Sequence, residues 1–155
     1  MTRQDVLDRI QSEFKGKIKN FNEKSPKRLY VDIDKDDVPA MVELIFKKLG
    51  ARFNIASGVD TPEAVEILYH FDFDDLNLVV SIRTLLDREN PEIESVLPIM
   101  KGAEWIEREI HELFGVKFKN HPNMKPLLLP DNWPKGQYPL RRDFDQAAVE
   151  KELDS

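Results

Sequence analysis

Five apolar residues at alternate positions, Val65, Ile67, Tyr69, Phe71 and Phe73, constrain this chain more than any other feature. Strict alternation fits a pleated strand with one buried face and not a helix, whose apolar positions recur every three or four residues. Asp74 and Asp75 follow as a turn signal, and Leu76, Leu78, Val80 and Ile82 alternate again, which predicts an antiparallel hairpin. Two strands alone are marginal in water, so the rest of the chain must cover their apolar face.

The flanking sequence supplies candidates for that cover. Thr2 followed by Asp5 reads as a helix cap, and Val6, Ile10 and Phe14 predict a helix from about Arg3 to Phe14. Lys15 to Lys27 reads as a basic loop. Leu29, Val31 and Ile33 alternate with polar residues and predict a strand. Asp36 and Asp37 then cap a helix whose stripe is Val38, Met41, Val42, Ile45 and Leu49, with Gly50 as its stop. Ala51, Phe53 and Ile55 alternate with Arg52 and Asn54 and predict a second strand. Residues 86 to 99 read as a connecting loop, and Ala103, Ile106, Ile110 and Leu113 mark a third helix ending at Gly115. The last residues, from Asp145 on, read as a fraying end or a short helix. The expectation is an α+β fold: a two-layer domain over residues 1–122, with a small mixed sheet carrying helices on one face. An extended C-terminal arm over residues 123–155 follows, and five prolines between 122 and 139 keep it extended.

Composition narrows the function. The chain has 155 residues, 41% hydrophobic and 34% charged, the make-up of one globular domain. Its net charge is -6, and residues 51–100 carry only 3 basic residues against 10 acidic ones, which excludes a nucleic-acid footprint. There is no cysteine, so disulfides, thiolate metal sites, iron–sulfur ligation and thiol catalysis are excluded within it. The polar N-terminus predicts no signal region, and no apolar run approaches the roughly 20 residues needed to span a bilayer. Attachment to a membrane would have to come through another protein.

The densest chemistry lies in Glu107-Arg-Glu-Ile-His-Glu-Leu-Phe-Gly115, followed by His121-Pro122 and Tyr138-Pro-Leu-Arg-Arg-Asp-Phe144. Glu104 with Arg108, Arg108 with Glu112, and Glu107 with His111 are spaced i, i+4 and can pair along a solvated helix face. The functional alternative is that Glu107, Arg108, Glu109 and Glu112 present charge to a partner. His111-Glu112 lacks the second histidine of a zincin, and His70 and His121 have no sequence-local co-ligand, so no metal site is expected. Trp105 and Trp133 read as packing anchors, Trp133 also as an aromatic that fills a partner's pocket. Arg141-Arg142 could clamp carboxylates of a neighbouring protein. Leu127-Leu-Leu129 and Trp133 argue that the arm lies over something. An acid–base enzyme using Glu107, Glu109 and His111 is a competitor, although residues 107 and 109 point about 200° apart on a helix. A general adaptor domain unrelated to redox chemistry is another.

Taken together, Trp105 to Gly115, Phe118, His121-Pro122, Leu127-Leu128 and Tyr138 to Phe144 resemble the C-subunit family of respiratory complex I (NADH-quinone oxidoreductase), which includes components of energy-converting membrane-bound NiFe hydrogenases. Tyr69-His70-Phe71 and the strand Leu78 to Arg83 sit where that family has a Tyr-His strand and its hairpin partner. The likeness covers roughly residues 65 to 144. Glu112 stands where complex I members usually have Asp, and Gly136-Gln137-Tyr138 has one extra residue before Pro-Leu-Arg. The run Leu129 to Gly136 looks more like the hydrogenase branch than the quinone-reducing one.

The resemblance implies a non-catalytic peripheral-arm subunit of a membrane-bound, ion-translocating oxidoreductase, on the cytoplasmic face of the cell membrane. Its implied partners are a large NiFe-hydrogenase-like catalytic subunit and an iron–sulfur subunit. It implies no cofactor in this chain, with iron–sulfur clusters and a NiFe centre in the partners. The arm is implied to wrap over the large subunit. Carried over to these positions, the partner-binding residues are Glu107, Arg108, Glu109, Glu112, Phe114, Gly115, His121, Pro122, Trp133, Tyr138, Pro139, Leu140, Arg141, Arg142, Asp143 and Phe144. The corresponding subunit of a quinone-reducing dehydrogenase is the alternative within the family.

Overall fold

The hairpin forms in full register, from Ala64 opposite Asp87 to Phe73 opposite Leu78; Leu76, expected on the second strand, lies instead in the 74–76 turn, which Asn77 closes in the left-handed region (φ 49). In the computed structural model, which describes residues 1–155, it belongs to a five-stranded mixed sheet. In chain order the elements are α1 (Arg3–Glu13), β1 (Ile18–Ser25), β2 (Arg28–Ile33), α2 (Val38–Val42, running on as a π-helical Glu43–Lys48), β3 (Arg52–Asp60), β4 (Ala64–Phe73) and β5 (Leu78–Asp87). After these come β6 (Glu92–Glu94), α3 (Ala103–Phe114), β7 (Lys117–Lys119) and α4 (Gln146–Leu153). The sheet order is β1-β2-β5-β4-β3, antiparallel except where β2 lies parallel to β5. That parallel pair is what the crossover through α2 and the β3–β4 hairpin makes possible.

The alternation read from the sequence is the burial pattern. Val65, Ile67, Tyr69, Phe71, Phe73, Leu78, Val80 and Ile82 all face one layer, which they share with Leu29, Val31 and Ile33. Val6, Leu7 and Ile10 of α1, the α2 stripe and Ala103, Ile110 and Phe114 of α3 close that layer into one core. The helices therefore occupy one face of the sheet, and the other face is open. There Arg83 lies between Asp32 at 3.4 Å and Glu66 at 2.6 Å.

Three parts of the expected layout are corrected. Lys15 to Lys27 is not a loop, because residues 18–25 form the edge strand β1. Only Ile18, Phe21 and Ser25 of that strand are partly covered, and two register shifts break its pairing with β2, so it shows no clean alternation. In β3 a register shift between Phe53 and Ile55 turns the strand over, so Ala56 is buried and Ile55 exposed. Residues 86 to 99 are not all loop. β5 runs to Asp87, and β6 pairs in parallel with β7, burying Ile93 and Phe118. One cap also moves: Asp34, not Asp36 or Asp37, accepts the backbone N–H of Asp36 before α2.

Candidate partner-docking site

The charged block lies on α3, and the fold uses it inward. Glu107 is fully buried. Ser95 Oγ donates to its Oε2 at 2.6 Å, and the Val96 N–H donates to its Oε1 at 2.8 Å. Both donors favour the ionised carboxylate, yet burial outweighs them and pushes the Glu107 carboxyl up to about 7. The nearby Tyr69 hydroxyl is buried without a hydrogen-bond partner, and burial, then the charge of Glu107, raises its pKa. Glu107 thus holds the 95–96 turn against α3, and the expected solvated face is corrected at this position.

The remaining polar groups of α3 grip the segment after β7. Residues 121 to 128 run alongside α3 in the same direction, held at three levels. His121 Nδ1 accepts the Asn123 N–H, which leaves Nε2 to donate to the Glu104 carbonyl at 3.2 Å. Arg108 donates to the carbonyls of Lys125 at 2.9 Å and Pro126 at 3.0 Å. Glu112, nearly buried, accepts the N–H groups of Leu127 at 2.6 Å and Leu128 at 2.8 Å. A Pro-rich segment has few ways to satisfy its own backbone, and these side chains supply the missing partners. None of the expected i, i+4 pairs among Glu104, Glu107, Arg108, His111 and Glu112 forms. His111 donates through Nδ1 to the Val116 carbonyl at 2.7 Å instead.

The arm then turns back across the end of α3. Gly115 has φ +78, and a Cβ there would lie 2.5 Å from the Tyr138 ring, so the ring packs directly on the glycine backbone. The Leu140 N–H and Arg141 Nη1 donate to the carbonyls of Leu113 and Phe114, two of the groups a helix end leaves unsatisfied. Arg141 also donates to the Arg88 carbonyl. Behind it sits Asp60, whose side chain is 1% exposed and pairs with Arg88. Asp60 accepts the Arg142 N–H at 2.7 Å and lies 3.6 Å from Arg141 Nε. Trp133 stacks on Phe144 at 6.1 Å and donates to the Gln137 carbonyl.

Several single-residue expectations change accordingly. Arg141 is tied to its own chain and is not free to clamp a neighbour's carboxylates, whereas the side chain of Arg142 is exposed. Trp133 is held in a stack within the arm. Trp105 is no packing anchor: it is 66% exposed on the outer face of α3, where Glu109 is only half-buried. Pro122, Leu140 and Asp143 are exposed and Pro139 half-buried, while Phe114 is core. Glu107, Glu109 and His111 do not converge, and the buried Glu107 cannot be reached by a substrate. Asp60, Arg88 and Ser95 were not legible as site residues. Asp60 lies in an ordinary-looking strand end, and its bond to Arg142 joins positions 82 residues apart.

Comparison with known proteins places this arrangement. The family model described as the respiratory-chain NADH dehydrogenase 30 Kd subunit matches residues 31–150. The C subunit of the F(420)H(2) dehydrogenase of Methanosarcina mazei is 36% identical over 150 residues, covering 94% of this chain and 93% of its own length. The C/D subunit of the NADH-quinone oxidoreductase of Phocaeicola vulgatus is 44% identical over 87 residues, 55% of this chain but only 16% of that longer protein. In fold, a chain from the membrane-bound sulfane sulfur reductase, an archaeal respiratory membrane complex, superimposes with a TM-score of 0.83 at 23% identity, covering 98% of this chain and 91% of its own. A trypsin-resistant fragment of Nqo5 gives 0.64 at 20% identity, covering 79% of this chain and 99% of its own.

Proposed function

The chain belongs to the respiratory-chain NADH dehydrogenase 30 Kd subunit family, and from that premise we propose that it is a non-catalytic peripheral subunit of a membrane-bound, ion-translocating oxidoreductase related to complex I. Its role is to brace the large catalytic subunit with the arm that α3 holds in place. The observation that carries this reading is the use of the signature helix. Arg108 and Glu112 bind main-chain groups of residues 125–128, so the charge block shapes an arm instead of lining a reaction site. Electron carriers then reside in the partners, iron–sulfur clusters among them, and a NiFe centre in the hydrogenase branch. No helix of this chain is long and apolar enough to cross a membrane. On this reading, attachment at the cytoplasmic face runs through those partners.

Within the family, the run Leu129 to Gly136 favours the hydrogenase-type branch. The near full-length likeness to a protein named for F(420)H(2) dehydrogenase supports a second reading, a dehydrogenase without hydrogen chemistry. Purification of the tagged chain from gently solubilised native membranes, with mass spectrometry and a hydrogen-evolution assay, separates them. A large NiFe-type chain with hydrogen activity is the first outcome. The same set of subunits without hydrogen evolution is the second. Recovery of a lone monomer would refute the subunit role.

A further inference from the structure

Charge in this chain is segregated along the sequence, and part of its basic stretch is laid along α3. Residues 115–142 contain six Lys and Arg against a single acid, Asp131, in a chain of net charge -6, so the remainder sums to -11. Arg141 is tied to internal carbonyls, and Lys119 lies 3.8 Å from Glu92. Lys117, Lys125, Lys135 and Arg142 are exposed and have no carboxylate within ion-pair distance. In the same stretch, Leu128 and Leu140 are 59% and 52% exposed. Between the arm and α3 lies an open slot of about 390 Å³, walled by Met124, Leu129, Trp133 and Tyr138, with His111 and Glu112 on the helix side.

We propose that this face docks onto an acidic protein surface in which carboxylates surround a protruding apolar side chain that enters the slot. The inference rests on the subunit reading above and names the chemistry of the partner. Charge complementarity selects the acidic surface, because a stretch with four unpaired exposed cations and two exposed leucines gains most from carboxylates at the rim of a contact. The slot selects a protein over a lipid leaflet. Its walls are fixed by the Trp133–Phe144 stack, the Trp133–Gln137 hydrogen bond and the packing of Tyr138 on Gly115, a shape that a fluid headgroup layer does not require. The open face of the sheet lacks this logic, since Arg83 there is already matched by Asp32 and Glu66.

The test uses the full chain, tagged and expressed in its native host in place of the untagged one, as wild type and as the Lys125→Glu/Lys135→Glu double variant. Both positions are exposed, so the thermal transition of the purified variant should match that of the wild type. The wild type should recover the large subunit at about 0.05 M salt and lose much of it by about 0.5 M, where screening is strong. The charge reversal should cut recovery by about tenfold or more even at low salt. If the wild type recovers the partner and the reversal recovers it equally well, this inference fails and the subunit reading stands. If the wild type recovers no partner, both fall. Sedimentation of the purified chain with phosphatidylglycerol vesicles but not phosphatidylcholine vesicles, abolished by the reversal, would overturn the protein surface in favour of lipid. Self-association in light scattering, lost in the reversal, would overturn it in favour of a second copy.

Discussion

At the scale of single residues, two buried carboxylates carry the clearest consequences. Burial raises the Glu107 carboxyl from 4.5 to about 7, so between those values the folded chain keeps a proton that the unfolded chain has released. The contribution to stability is therefore complete below about pH 4.5, declines as the pH rises to about 7, and is then flat. A shift of this size corresponds to roughly 3 kcal/mol. Glu107→Gln retains an acceptor for the Val96 N–H and cannot ionise. Its melting temperature, measured against that of the wild type from about pH 4 to 8, should gain between about pH 4.5 and 7 and level off on either side. Parallel curves would contradict the assignment. Asp60 is the buried carboxylate that faces both Arg88 and Arg141. Asp60→Ala leaves two poorly solvated guanidinium groups uncompensated and should cost about 3 kcal/mol in urea unfolding. Hydrogen exchange should then speed up first at residues 138–142; unchanged exchange there would remove Asp60 from the arm's support.

At the scale of elements, α3 joins the sheet to the arm, and it was only half legible. Its apolar positions and the Gly115 stop follow from helical spacing and a left-handed C-terminus, and so they could be read. Its polar positions could not, because Glu107 and Glu112 have the spacing of a solvated face and only the fold lays the 95–96 turn and residues 127–128 against them. The hairpin was legible for the same reason that α3's apolar stripe was: a period set by the backbone. The register shifts in β1 and β3 interrupt that period, which hid one strand and put Ile55 on the wrong face. The parallel β6–β7 pair, three residues on each side, is too short for any period to show. A direct check of the α3–arm junction is Gly115→Ala. The left-handed backbone alone costs roughly 1–2 kcal/mol. The added methyl also displaces Tyr138, so the melting temperature should fall by several degrees and the Tyr138 ring should lose its shielded NMR environment. A variant as stable as the wild type would mean that Tyr138 does not pack there.

For the whole molecule, a helix-covered sheet is joined to an arm that the sheet's third helix holds along its length. The continuous core is built from residues between Val6 and Phe118, and of the arm only Met124 packs against it. The arm's other anchors are polar side chains of α3, the buried Asp60, the packing of Tyr138 on Gly115 and hydrogen bonds to the main-chain carbonyls of Arg88, Leu113 and Phe114. The expected boundary near residue 122 falls within the stretch that runs along α3, between His121 and the Arg108 contacts. The most direct test is therefore to compare residues 1–122 with the full chain, by circular dichroism for folding and by co-purification of the large subunit from native membranes for assembly. The expected result is a folded 1–122 domain with native strand and helix content that recovers no partner, beside a full chain that does. Partner recovery by the truncated domain equal to that of the full chain would contradict the bracing role of the arm.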